Sequence, residues 1–220
     1  MSRAGRPEPL TPGALADRLA AELATVAPVP GAGALRVAVD GPPVADPEGL
    51  ARSIAERLPA LGRSAVVVPA AGFLRPASVR LEHGRTDPDA RYEDWLDAGA
   101  LAREVLDRTG PGGPGEYLPE LWDTVRDRAS RQVHRPLPPR AVLLVPGSLL
   151  QGVGLAFDVT VHVRVSAAAR RRRTPAELAW ELAAFDRYDA EVDPAALADL
   201  VVLAEHADRP ALVRQGRFLP

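Results

Sequence analysis

The sequence predicts an α/β fold with a mostly parallel five-stranded sheet flanked by helices. Three observations predict it. Short β-rich runs alternate with stretches of helical periodicity along the 220 residues. Two of those runs, Ala65–Val68 and Ala141–Val145, show no polar alternation, as in parallel strands covered on both faces. No internal repeat and no linker of shifted composition divides the chain, so a single domain over 11–220 is expected behind a flexible polar tail at 1–10.

The elements follow in order. Leu15, Leu19, Leu23 and Val26 recur at helical spacing after Pro12, which predicts an amphipathic helix, and the Pro/Gly-rich stretch at 27–34 ends it. Leu35–Val39 reads as the first strand and runs into Asp40-Gly41. Asp46-Pro47-Glu48 is a helix start, with Asp as cap and Pro at the first helical position; Leu50, Ile54 and Leu58 share one face of that helix. Ala65–Val68 is the second strand. Residues 72–93 read as irregular, Asp94–Leu106 as a helix, and 109–115 as a flexible Gly/Pro loop. Ala141–Val145 and Val159–Val165 are the third and fourth strands. Ser166–Arg173 is helical, Thr174-Pro175-Ala176-Glu177 supplies a capping box for another helix, and a helical turn at 194–199 precedes the last strand, Leu200–Leu203.

Composition excludes several functions. There is no Cys, so disulfides, thiolate metal sites and cysteine nucleophiles are absent, and the four His (83, 134, 162, 206) lack metal-type spacing. His162 lies within a strand pattern and reads as structural. A net charge of -2 and 5% aromatic residues speak against nucleic-acid binding. No apolar run approaches membrane-spanning length and no signal peptide is seen, so no membrane partner and a cytoplasmic location are expected. All 27 basic residues are Arg.

Five blocks, in order, resemble the uridine kinase family of P-loop nucleoside kinases. LRVAVDGPPVADPEGLARSIAERL (35–58) stands where the phosphate loop would. AGFLRP (71–76) resembles the family's D-G-F-H-x-P, GRTDPDARYEDWLDAGAL (84–101) its nucleoside-side segment, AVLLVPGSLL (141–150) a strand ending D/E-G-x-F-L, and FDRYDAEVDPAALADLVV (185–202) the closing segment. The resemblance spans about residues 35–210 and implies a three-layer P-loop NTPase-like fold.

At the positions the resemblance assigns to chemistry, this chain departs from the pattern. A phosphate loop needs consecutive backbone N–H donors, a Lys and a hydroxyl. Here Gly41 opens the loop, but Asp46, Pro47 and Glu48 take the Gly-Lys-Ser/Thr places, and Pro42, Pro43 and Pro47 remove donors. A carboxylate about 4 Å from a phosphate charge opposes it by roughly 4 kcal/mol at an effective dielectric near 20. Asp46 also reads simply as a helix cap, and the two readings agree. Ala71 stands at the general-base position, with Glu82 and Asp87 as downstream substitutes to consider. Pro146 stands at the acidic strand end, and Trp122-Asp123-Thr124 where the family carries a His. No catalytic residue and no metal ligand is therefore assigned.

Tyr92, Asp94, Trp95 and Asp97 fall in the nucleoside-side block, either as a retained nucleoside pocket or as core packing and helix capping. Arg170 and Arg173 fall at the family's phosphate-contacting lid, either as an anion clamp or as one end of a solvated helix. The expectation is a pseudo-kinase with no cofactor, kept for binding a nucleoside or other small molecule, or for contact with itself or an active paralogue. The alternative is an active uridine or cytidine phosphotransferase using ATP and Mg²⁺, with a phosphate site rebuilt from Arg75, Arg80 or Arg170.

Overall fold

The computed structural model describes residues 5–218. Its main sheet has seven strands: β1 (Glu8–Pro9), β2 (Ala34–Asp40), β3 (Ser64–Val67), β4 (Ala141–Gly147), β5 (Val159–Arg164), β6 (Leu200–Leu203) and β7 (Ala211–Arg214). The spatial order is β1-β7-β6-β5-β2-β4-β3. The five strands expected from sequence are all present and all mutually parallel. Two antiparallel strands extend the expected five to seven: β7 pairs with β6, and β1 with β7. Glu8–Pro9 thus lies in the sheet rather than in a loose tail, while residues 1–4 of the expected tail fall outside the described residues.

The apolar strands have the covering their composition called for. Along β2, Leu35, Val37 and Val39 enter one core with Leu15, Leu19 and Leu23 of α1 (Pro12–Thr25) and Ile54 of α2 (Pro47–Arg57). The opposite face carries Ala34 and Ala38, which pack with Leu101, Val105 and Leu106 of the helical run from Ala98 to Thr109. Period-two alternation puts Arg36 and Asp40 on that second face too. Arg36 is matched there by Asp158, whose carboxylate accepts from Arg36 Nη2 at 2.7 Å and Nε at 3.1 Å, with both side chains under 10% exposed.

Several expectations need correction. Residues 72–93, read as irregular, hold α3 (Ala77–Arg80) and α4 (Pro88–Glu93), and Asp87 caps α4 by accepting from the N–H groups of Asp89 and Ala90. The helix expected at Asp94 starts later, as α5 (Ala98–Leu101), capped by Asp97 and continued by a wider π turn. The expected capping box at Thr174 does not form. Thr174 Oγ1 instead donates back to the Arg170 carbonyl, closing α6 (Ala167–Arg173), and a 3-10 turn at Ala176–Glu181 follows before α7 (Leu182–Glu191). Pro194–Leu197 is the short α8. No helix among the described residues is long and apolar enough to cross a membrane.

Candidate functional site

β2 adjoins β4 on one side and β5 on the other, and the connections after β2 and β5 leave in opposite directions. Clefts form at such reversals, beyond the carboxyl ends of the strands. Here a cleft of about 450 Å³ opens over the ends of β2, β3 and β4. Its walls include Pro43, Asp46, Pro47 and Glu48 from the loop after β2, Ala70 and Ala71 after β3, Pro146 and Leu149 from β4 and its turn, and Tyr92 and Leu96. The phosphate-loop, base and strand-end positions inferred from sequence therefore meet in one place.

The groups of the loop after β2 are already engaged. Gly41 N–H donates to the Gly147 carbonyl at 3.0 Å, and Ser148 Oγ donates to the Gly41 carbonyl at 2.7 Å. A Cβ on Gly41 would stand 3.0 Å from the Val163 carbonyl oxygen, so a side chain there would make β5 give way by a few tenths of an ångström. Pro43–Ala45 form a 3-10 turn in which Ala45 N–H and Asp46 N–H bond back to Pro42 and Pro43. Asp46 has φ 49° and ψ 59°, a left-handed conformation glycine adopts more readily. Its Oδ1 accepts from Gly49 N–H at 2.9 Å, so a carboxylate occupies the amino end of α2, where an anion would otherwise sit. Gly49 is part of the same fit: a Cβ there would lie 2.1 Å from Asp46 Oδ2.

The other charged walls of the cleft are paired as well. Glu48 bonds Arg52 one turn on. Arg75 meets Asp94 at 3.6 Å, and Glu93 meets Arg187 at 2.8 Å. Arg91 meets Glu181 at 3.1 Å and lies over the rings of Trp95 and Phe185. Burial pulls the Arg91 guanidinium below its ordinary pKa, with Glu181 opposing that shift. What remains of the lining is largely apolar: Pro69, Ala70, Ala71, Leu74, Leu96 and Val153.

Of the four nucleoside-side residues, only Tyr92 faces the cleft, its hydroxyl donating to Glu191 Oε2 at 3.2 Å. Burial, then Glu191, raises the Tyr92 pKa. Asp94 ends α4 rather than starting a helix, and Asp97 caps α5. Trp95 packs against Trp180, with ring centroids 5.7 Å apart, and its Nε1 donates to the Arg80 carbonyl. The structure thus puts Asp94, Trp95 and Asp97 in capping, pairing and packing roles behind the cleft wall rather than among its lining residues. Ala71 is exposed on the cleft wall, and neither Glu82 nor Asp87 lines it.

Arg170 and Arg173 also lie outside the cleft. Arg170 is 3% exposed and donates to Asp186 at 2.7 Å and Asp189 at 2.9 Å, so it is neither solvated nor turned toward the cleft. Arg173 donates to the carbonyls of Ala204 and Glu205. Among the arginines offered for a rebuilt phosphate site, only Arg75 lines the cleft, and Arg80 Nε donates to the Arg75 carbonyl.

One cluster was not found by sequence reasoning. Asp40, fully buried at the end of β2, accepts from His162 Nδ1 at 2.8 Å, Tyr188 Oη at 2.9 Å, Gln151 Nε2 at 3.4 Å and Leu150 N–H at 3.1 Å. Tyr188 Oη in turn accepts from Gln151 N–H at 2.9 Å. Burial, then the Asp40 carboxylate, pushes the Tyr188 phenol above its ordinary pKa, so it stays protonated and donates. The available signal was a carboxylate closing a strand that is apolar apart from Arg36, because a buried charge requires partners. Among the described residues, no group of three or more His, Asp or Glu is placed to hold a metal ion.

No protein-family model matches the sequence, and no curated protein matches it. Solved structures do. A protein described as a possible uridine kinase from Bacillus stearothermophilus aligns with a TM-score of 0.68 at 18% identity, covering 84% of this chain and 96% of its own. A protein described as a candidate fructose transport system kinase from a Silicibacter species aligns with a TM-score of 0.51 at 19% identity, covering 86% and 95%. At such identities the likeness concerns architecture, and it agrees with the strand order and cleft above: the chain has the α/β fold of P-loop kinases.

Proposed function

We propose that this chain is a non-phosphorylating protein on a P-loop nucleoside-kinase-like scaffold, whose cleft binds an uncharged small molecule of nucleoside type. The observation that carries the reading is the Asp46 carboxylate bonded to Gly49 N–H at the amino end of α2, with Pro47 beside it. A triphosphate would have to displace that cap, and no lysine is present to repay the displacement. A magnesium–triphosphate therefore does not fit these residues. With Asp46, Glu48, Glu93, Arg75 and Arg91 each already partnered, the cleft offers no unspent charge to an ionic ligand. Its apolar walls and the Tyr92 ring suit a flat neutral one. Calorimetric titration of the intact chain with uridine and with ATP–Mg²⁺ tests this. Heat from the nucleoside but not from ATP is expected, and tight metal-dependent ATP binding overturns it.

A second reading rests on Arg75, whose side chain is 39% exposed on the cleft wall and whose contact with Asp94 is long at 3.6 Å. Under it the chain transfers phosphate to uridine or cytidine. Formation of nucleoside monophosphate above a blank, abolished in Arg75→Ala, would establish it.

A further inference from the structure

Unpaired positive charge lies away from the cleft. Between the helical run ending at Thr109 and β4, the chain folds into two small antiparallel ribbons, Glu116–Tyr117 with Arg135–Pro136 and Trp122–Asp123 with Arg128–Ala129. The second ribbon and the residues after it enclose another cavity, of about 370 Å³, whose walls include Glu120, Arg126, Arg128, Arg131 and Gln132. Arg126 is already engaged with Asp123 at 2.9 Å. Arg128 and Arg131 are exposed, and among the described residues neither side chain makes a hydrogen bond or ion pair. Arg131 is held at φ 57°, a left-handed conformation that costs a non-glycine residue energy. The Gln132 side-chain oxygen accepts from Arg135 at 3.2 Å, which leaves its amide N–H groups as donors. Glu120 lies against the same cavity, its backbone fixed by Ser130 Oγ donating to its carbonyl at 2.6 Å.

We infer that this cavity binds a small phosphorylated polyol, with the phosphate on Arg128 and Arg131 and hydroxyls on Glu120. Arg128 and Arg131 are planar cations that make no ion pair among the described residues, although Glu120 and the Arg126-bound Asp123 line the same cavity, and they suit an oxyanion, which accepts paired N–H bonds from each. Glu120 disfavours a bare anion but accepts hydrogen bonds from hydroxyls, so the ligand carries both groups. No aromatic ring lines the cavity, so no face is offered for stacking a base, and a sugar phosphate fits better than a nucleotide.

Amide spectra of the full chain titrated with glucose 6-phosphate, with glucose and with inorganic phosphate test this. The expected result is saturable shifts at residues 120–132 for the sugar phosphate, weaker ones for phosphate and none for glucose. The double substitution Arg128→Ala/Arg131→Ala weakens binding by about tenfold or more. Arg128→Lys/Arg131→Lys, which keeps the charge but loses the paired geometry, falls between. No saturable shift by about 10 mM overturns the inference. So does binding unchanged in the double alanine variant, or phosphate alone binding as tightly as the sugar phosphate. These shifts lie outside the cleft walls, so the outcome does not depend on the reading of the cleft.

Discussion

Two groups of charges sit near the carboxyl ends of the strands and are held in opposite ways. Beneath the loop, the Asp40 carboxylate is fully buried and takes hydrogen bonds from four groups on three other segments of the chain. At the rim, Arg187 reaches Asp89, Glu93 and Glu191, all from exposed or half-exposed side chains. The rim has more ion pairs, but the floor carries more energy. Water screens each rim contact and would replace it if lost, whereas nothing replaces a missing partner at Asp40. The number of ion pairs is thus a poor guide to what holds the cleft in shape; the depth at which they lie decides.

The sharpest way to break this contrast is Asp40→Ala. It leaves His162, Tyr188, Gln151 and the Leu150 N–H without their acceptor, and should cost about 3–5 kcal/mol in urea unfolding. A loss below about 1 kcal/mol would place the floor and the rim on the same footing. Tyr188→Phe is a gentler probe, removing one donor to Asp40 and the acceptor of Gln151 N–H, with an expected cost of about 1–3 kcal/mol. Asp46 stands between the two regimes. Asp46→Ala loses the cap while keeping a left-handed residue, for a loss of about 1 kcal/mol, whereas Asp46→Gly relieves the strain and should cost only about a few tenths. Equal effects from the two would remove the cap from the account.

The smallest effect belongs to the rim. The hydrogen bond from Arg187 holds the Glu191 carboxyl below its ordinary pKa. The group is lowered in the folded state, so its contribution is full above the ordinary glutamate range, near about 4.3, and fades as pH falls through the lower folded value. Arg187→Ala should return the Glu191 titration, followed by carboxyl-carbon NMR, toward the ordinary value, with little change in melting temperature. An unmoved titration would mean that Arg187 does not govern Glu191.

Legibility in the sequence followed the range of the interactions. The five parallel strands were readable because each is a short run rich in β-branched and aliphatic residues, apolar throughout where both faces are buried, as in Ala141–Val145. β7 was missed: Ala-Leu-Val-Arg is four residues long and ends in a charge, too short a run to show a pattern although Leu212 and Val213 are buried on opposite faces. The Asp46 cap was legible because its donor, Gly49 N–H, lies three residues away. The Thr174 box failed because Thr174 ends the preceding helix, its hydroxyl donating back to the Arg170 carbonyl instead of accepting from the turn that follows. The Asp40 cluster joins residues more than 100 positions apart, and no spacing rule reaches that far. For the same reason the pairing of Arg170 with Asp186 and Asp189 could not be told from a solvated arginine run.

The short strand β1 bears on how separate molecules meet. It lies along the outer edge of β7, and Arg214 ties Glu8 to Glu22 of α1 at 2.8 and 2.7 Å. Without those two residues, β7 would present a row of unpaired N–H and C=O groups, the template on which sheets of separate molecules join. Glu8 and Pro9 therefore act as a guard against self-association. Removing that pairing is expected to favour association of separate molecules before it disturbs the cleft.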